Sequence, residues 1–160
     1  MTLSANEVMT LAAKAARGAG APPAQASEFG RAVVCHAHAG RDLSFISNAL
    51  DAMPGGPIID LPIAFMRMLE RESVVNANGC LPLAQSYAEA LPYAARVDVV
   101  GETLHIKSDL QTPSEKVSLG RFVLPDDLIT KMTTLAARIL VPESDASRLA
   151  GAGAGLTDND

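Results

Sequence analysis

The spacing of the apolar residues changes partway along this chain, and that change limits what it can fold into. Up to about Leu91 they recur at helical intervals. From Arg96-Val97-Asp98-Val99 through Thr103-Leu104-His105-Ile106-Lys107 they alternate, the period of a strand with one face covered. A helical body followed by a short alternating stretch predicts an α+β domain: mainly helices, a small antiparallel sheet near residues 94–123, and a helix at the C-terminal end.

The helical part is divided by its own punctuation. Ser4 and Glu7 form an S-x-x-E capping box, and Val8, Leu11, Ala12 and Ala15 follow on one face. Gly18 and Gly20 end that helix; Pro22 and Pro23 open the next, where a missing N–H costs nothing. The short link predicts an antiparallel hairpin. Phe29, Val33 and Ala37 form the stripe of its second helix, with Ala26 and Gly30 permitting close approach. A third helix is expected from about Asp42 to Met53, then a sharp break at Pro54-Gly55-Gly56-Pro57. A fourth would be capped by Asp60, with Ile63, Met66 and Leu69 sharing a face and Phe65 beside them. Asn76 to Gly79 reads as a turn, and a weaker helix runs from Pro82 to Leu91.

In the alternating stretch, Gly101-Glu102 suits a tight hairpin. Val97, Val99, Leu104 and Ile106 would face the core and His105 the solvent. Lys116 to Val123 offers a third strand. Pro125 opens the last helix, with Leu128, Met132, Leu135 and Ile139 as its stripe, and Val141-Pro142 closes it. Residues 1–142 thus read as one domain. Residues 143–160, rich in small and acidic side chains, read as a tail that either frays or docks on the domain or a second subunit.

Of the 160 residues 48% are hydrophobic but only 4% aromatic, so small side chains must do much of the packing. A net charge of −5 and the absence of any Lys/Arg run argue against nucleic-acid binding. No apolar run is long enough to cross a bilayer, and MTLSANEV lacks the features of a signal peptide. The expectation is a cytoplasmic protein with both cysteines reduced.

The most chemically loaded stretch is RAVVCHAHAGRDLSF, residues 31–45. It reads as a helix end stopped by Gly40, with Asp42 capping the next helix. Cys35 and His38 lie three apart and share a helical face, which makes them weak candidates for two metal ligands; no metal or other cofactor is expected. His36 and His38 are weak candidates for proton transfer. Arg41, with Asp42 and Ser44, is a weak candidate for holding a small anionic ligand such as a carboxylate. Each has an architectural alternative: a small buried thiol, imidazoles at a helix end, and a capping carboxylate. No Ser-His-Asp order, paired carboxylates or phosphate loop can be read.

Both ends carry a resemblance. LSANEVMTLAAKAARGAGAPPAQASEFGRAV and LPDDLITKMTTLAARILVPESDASRLAGAGAGLTDND resemble an uncharacterised bacterial family, mostly proteobacterial, through LSxNE…AARGAG and VPES…GAGAGLTDND. The likeness covers the ends and little of the middle. The family has no assigned activity, so it implies no catalytic residues. The resulting expectation is a non-catalytic, self-associating domain, as a homodimer, that binds a protein or a small ligand. The alternative is a small enzyme or anion-binding protein using the Cys35–Ser44 corner.

Overall fold

The computed structural model describes residues 1–70 and 73–140. Its elements run β1 (Thr2–Ser4), α1 (Ala5–Gly18), α2 (Pro23–His38), α3 (Ser44–Asp51), α4 (Pro57–Glu70), β2 (Val74–Asn76), α5 (Leu81–Glu89), β3 (Tyr93–Val100), β4 (Thr103–Pro113), β5 (Arg121–Val123) and α6 (Asp126–Ala137). This is an α+β fold with a helical body, small antiparallel sheets and a C-terminal helix. The residues of the expected tail lie outside the described residues, as do Arg71 and Glu72.

The capping box forms as its residue types require: the Glu7 N–H donates to Ser4 Oγ, and the Ser4 N–H donates to Glu7 Oε2 at 2.7 Å. Helices α1 and α2 are the centre of the molecule. Val8, Ala12, Ala15 and Ala16 from one, and Phe29, Ala32 and Val33 from the other, are fully buried. Small residues set how closely the two approach. A Cβ on Gly30 would stand 2.5 Å from the Met9 carbonyl oxygen, so only glycine fits there. The other side of α1 receives α6, and α2 receives α5 and α4. Lys131 on α6 ties to α3 through Asp51 and Ser47, at 2.7 and 2.6 Å.

The hairpin turns at Gly101, whose φ is +60°, and pairs Val97 with Ile106 and Val100 with Thr103. Leu104 and Ile106 are buried and His105 is exposed, as the alternation predicts. Val97 is only half-buried and Val99 is 41% exposed, although their partners Ile106 and Leu104 are buried, because β3 is the edge strand of its sheet and β4 the central one.

Three sequence expectations change. The third strand of the hairpin sheet is β2, whose Val75 pairs with Leu104; the order is β2-β4-β3. Within Lys116–Val123 only Arg121–Val123 is a strand, and it pairs with β1 as a second sheet, Leu3 opposite Phe122. Helix α4 starts at Pro57, not Asp60, and buries Ile58, Leu61, Phe65 and Met68. The stripe of Ile63, Met66 and Leu69 therefore faces outward, with Met66 59% and Leu69 46% exposed. The inward row wins because it runs the whole helix and includes the larger Phe65.

Candidate functional site

The corner after α2 is built around His36, which is fully buried. Its Nε2 lies 2.9 Å from the Asp42 carbonyl oxygen, and its Nδ1 lies 2.8 Å from Ser86 Oγ on α5. A carbonyl only accepts, so Nε2 carries the ring proton. Nδ1 of the neutral ring is then an acceptor and takes the Ser86 hydroxyl proton. The same hydroxyl lies 2.8 Å from the Pro82 carbonyl, one turn back on its own helix. One hydroxyl proton cannot serve both acceptors, so the two contacts are hydrogen bonds together only when His36 is protonated: Nδ1–H then donates to Ser86 Oγ and the hydroxyl donates to the Pro82 carbonyl. Burial, aided by the nearby Arg41 charge, holds the imidazole below its ordinary value and favours the neutral ring.

Arg41 closes this network. Its Nη1 donates to Ser86 Oγ at 3.1 Å and to Glu89 Oε2 at 2.7 Å, while Nη2 donates to Glu89 Oε1. Ser86 and Glu89 sit three apart on α5, so one guanidinium spans both. The fork that would clasp an anionic ligand already holds a carboxylate. Asp42 Oδ1 accepts the Ser44 N–H at 2.9 Å, so these two residues bond to each other at the start of α3.

Ser86 beside His36 has the composition of a nucleophile and its base. Both side chains are fully buried, however, so no substrate reaches Oγ without the corner opening. Cys35 is half-buried; burial, with Glu89 adding to it, pushes its thiol up and away from the reactive thiolate. His38 is exposed. Cys35 and His38 share an open groove of about 590 Å³ with Glu89 and the 114–119 segment. Among the described residues no group of three or more His, Cys, Asp or Glu side chains is placed to hold a metal ion.

The more enclosed concavity lies on the other side of α2. A cavity of about 330 Å³ opens between α2, α4 and the α5–β3 link. Phe65 and the outward α4 stripe of Ile63, Met66 and Leu69 form an apolar wall. Tyr87 and Tyr93, six residues apart on either side of the Leu91-Pro92 break, line the cavity as well. Glu28, Gln25 and Arg31 of α2 supply polar groups. The Phe65 and Tyr87 rings stack, with centroids 6.3 Å apart and planes 28° from parallel.

Neither tyrosine hydroxyl has a hydrogen-bond partner among the described residues, although both oxygens are buried. Tyr87 is only 4% exposed. Burial pushes both phenols up, and the Glu28 carboxylate adds to the shift in each. A buried hydroxyl left unpaired costs about 1–3 kcal/mol, so each invites a partner from outside the protein.

Sequence reasoning passed over both tyrosines: Tyr87 lies in an alanine-rich helix, where an aromatic residue reads as core, and Tyr93 lies just past Pro92 at the start of a strand. The available signal was scarcity. The chain has four phenylalanines and two tyrosines, and three of these six rings line one cavity.

No protein-family model, curated protein or solved structure matches this chain.

Proposed function

We propose that this chain is a non-catalytic binding domain whose site is the apolar cavity between α2, α4 and the α5–β3 link. One observation carries the proposal: the Tyr87 hydroxyl is buried without a partner among the described residues, in a ring that lines an open cavity. A folding-only role would favour phenylalanine there, whereas a ligand with a polar head on an apolar body supplies the missing bond.

The composition provides a clean assay. The chain has no tryptophan, and both tyrosines line the cavity, so intrinsic tyrosine emission reports on this site; Tyr93 also borders the Cys35–His38 groove, which is why the Ala90→Leu control is needed. Cyclohexylmethanol is optically silent and small enough to enter. Saturable change in tyrosine emission on its addition, lost when Ala90→Leu narrows the cavity, supports the proposal. A flat titration with cyclohexylmethanol and with its amine and carboxylate counterparts, or a response unaltered by Ala90→Leu, overturns it.

Self-association belongs to the same proposal. Strand β3 is at an edge of its sheet, with no partner on its outer side among the described residues. Exposed Arg96 and Asp98 flank Val97 along it. An antiparallel pairing with a second copy centred on Val97 sets Arg96 of each chain opposite Asp98 of the other. This charge complementarity favours a second copy of the chain over another partner.

A further inference from the structure

We infer that the cavity takes a ligand with a primary ammonium head on an apolar body, the head held by Glu28 and the hydroxyls of Tyr87 and Tyr93. This rests on the cavity being the binding site, and adds the chemical class of what it binds.

The argument begins with a count. A primary ammonium has three N–H donors and no acceptor. The cavity walls carry three matching acceptors: the Glu28 carboxylate and two phenol oxygens that make no other hydrogen bond among the described residues and that a shift of their rings would turn to the ligand. The charge has a counter-ion as well. Glu28 is half-buried, and no ion pair among the described residues involves it.

The remaining wall suits a cation too. The stacked Phe65 and Tyr87 rings present aromatic surface, to which an ammonium is drawn by the negative ring face. Met66, Ile63 and Leu69 leave an apolar strip for the body of the ligand.

Arg31 is the opposing charge and must be weighed. It borders the cavity but is exposed to solvent, and its Nη1 donates to Ser27 Oγ at 3.4 Å. Burial raises both phenols first, and the Glu28 charge adds to the shift in each. An anionic head would sit beside that carboxylate and be repelled. A neutral head gains the hydroxyls but leaves the charge unused.

The test uses the full chain at neutral pH with three probes of one shape and different charge: cyclohexylmethylamine, cyclohexylmethanol and cyclohexanecarboxylate. Affinities are read from tyrosine emission and calorimetry. The amine is expected to bind about tenfold more tightly than the alcohol, and the alcohol more tightly than the acid. Glu28→Gln should remove the amine's advantage over the alcohol, with an unchanged circular dichroism spectrum and thermal midpoint. If the alcohol or acid equals the amine, or the amine keeps its advantage in Glu28→Gln, the ammonium assignment falls and the cavity reading stands. If none of the three probes binds, both fall.

Discussion

The carbonyl oxygen of Leu135 on α6 stands 1.7 Å from where a Cβ on Gly18 of α1 would be. The last turn of α1 thus lies directly against the α6 backbone, and no side chain fits between them. Gly18→Ala is expected to push the two helices apart and destabilise the protein by about 3 kcal/mol. Two other glycines calibrate the measurement. Gly20 has open space but a φ of +104°, so alanine there should cost about 1 kcal/mol through backbone strain alone. Gly120 has open space and an ordinary φ, so alanine should change little. Urea midpoints of the three variants should fall in that order. Equal midpoints for Gly18→Ala and Gly120→Ala would contradict the close approach.

The His36 network gives the fold a dependence on pH. The ordinary value of the imidazole is 6.5, and burial lowers it in the folded chain. Between the two values the unfolded chain holds the proton and the folded one does not. The contribution is therefore complete above about pH 6.5 and is lost as the pH falls through the folded value. Urea midpoints should drop between pH 7.5 and 5, with a smaller drop in His36→Gln. Ser86→Ala removes the proton donor to Nδ1 and leaves a buried nitrogen unpaired, which should cost about 1–3 kcal/mol at pH 7.5. An unchanged Ser86→Ala midpoint would mean that Ser86 bonds to Pro82 rather than to His36.

What could be read from the sequence was local. The Ser4–Glu7 box, the Pro23 start and the Gly101 turn each depend on residues a few positions apart or on one residue's backbone freedom. Strands β1, β2 and β5 are three residues each, too short for a period, and β1 meets β5 across most of the chain. The outward turn of Met66 depended on where α4 begins, which Pro57 decides and Asp60 had obscured. Around His36 the legible half was its own stretch. Ser86 and Glu89 come from fifty residues away, and only packing of α5 on α2 brings them in. The cavity is more distant still from sequence logic, since α2, α4 and the α5–β3 link each supply part of its wall.

The β3 edge makes a prediction about charge order rather than charge content. In Asp98→Arg the antiparallel arrangement sets two arginines opposite each other twice, and like charges across strands repel. Light scattering should show the dimer weakened in Asp98→Arg. It should return when Arg96→Asp is added, because the swapped order is again self-complementary. A monomeric wild-type chain, or a double variant that stays dissociated, would remove β3 as the interface.

Tyr87→Phe separates a binding residue from a packing residue by the sign of two effects. Deleting the hydroxyl removes a buried oxygen that has no partner among the described residues and leaves the ring stacked on Phe65. The empty protein should become more stable by about 1 kcal/mol, since unfolding no longer releases an unpaired polar group to water. Cyclohexylmethylamine should bind several-fold more weakly, because one of its three acceptors is gone. A hydroxyl serving only the fold would give the opposite sign on stability and leave binding unchanged. Thermal midpoints with and without the amine measure both effects in one experiment: the variant should start higher and rise less.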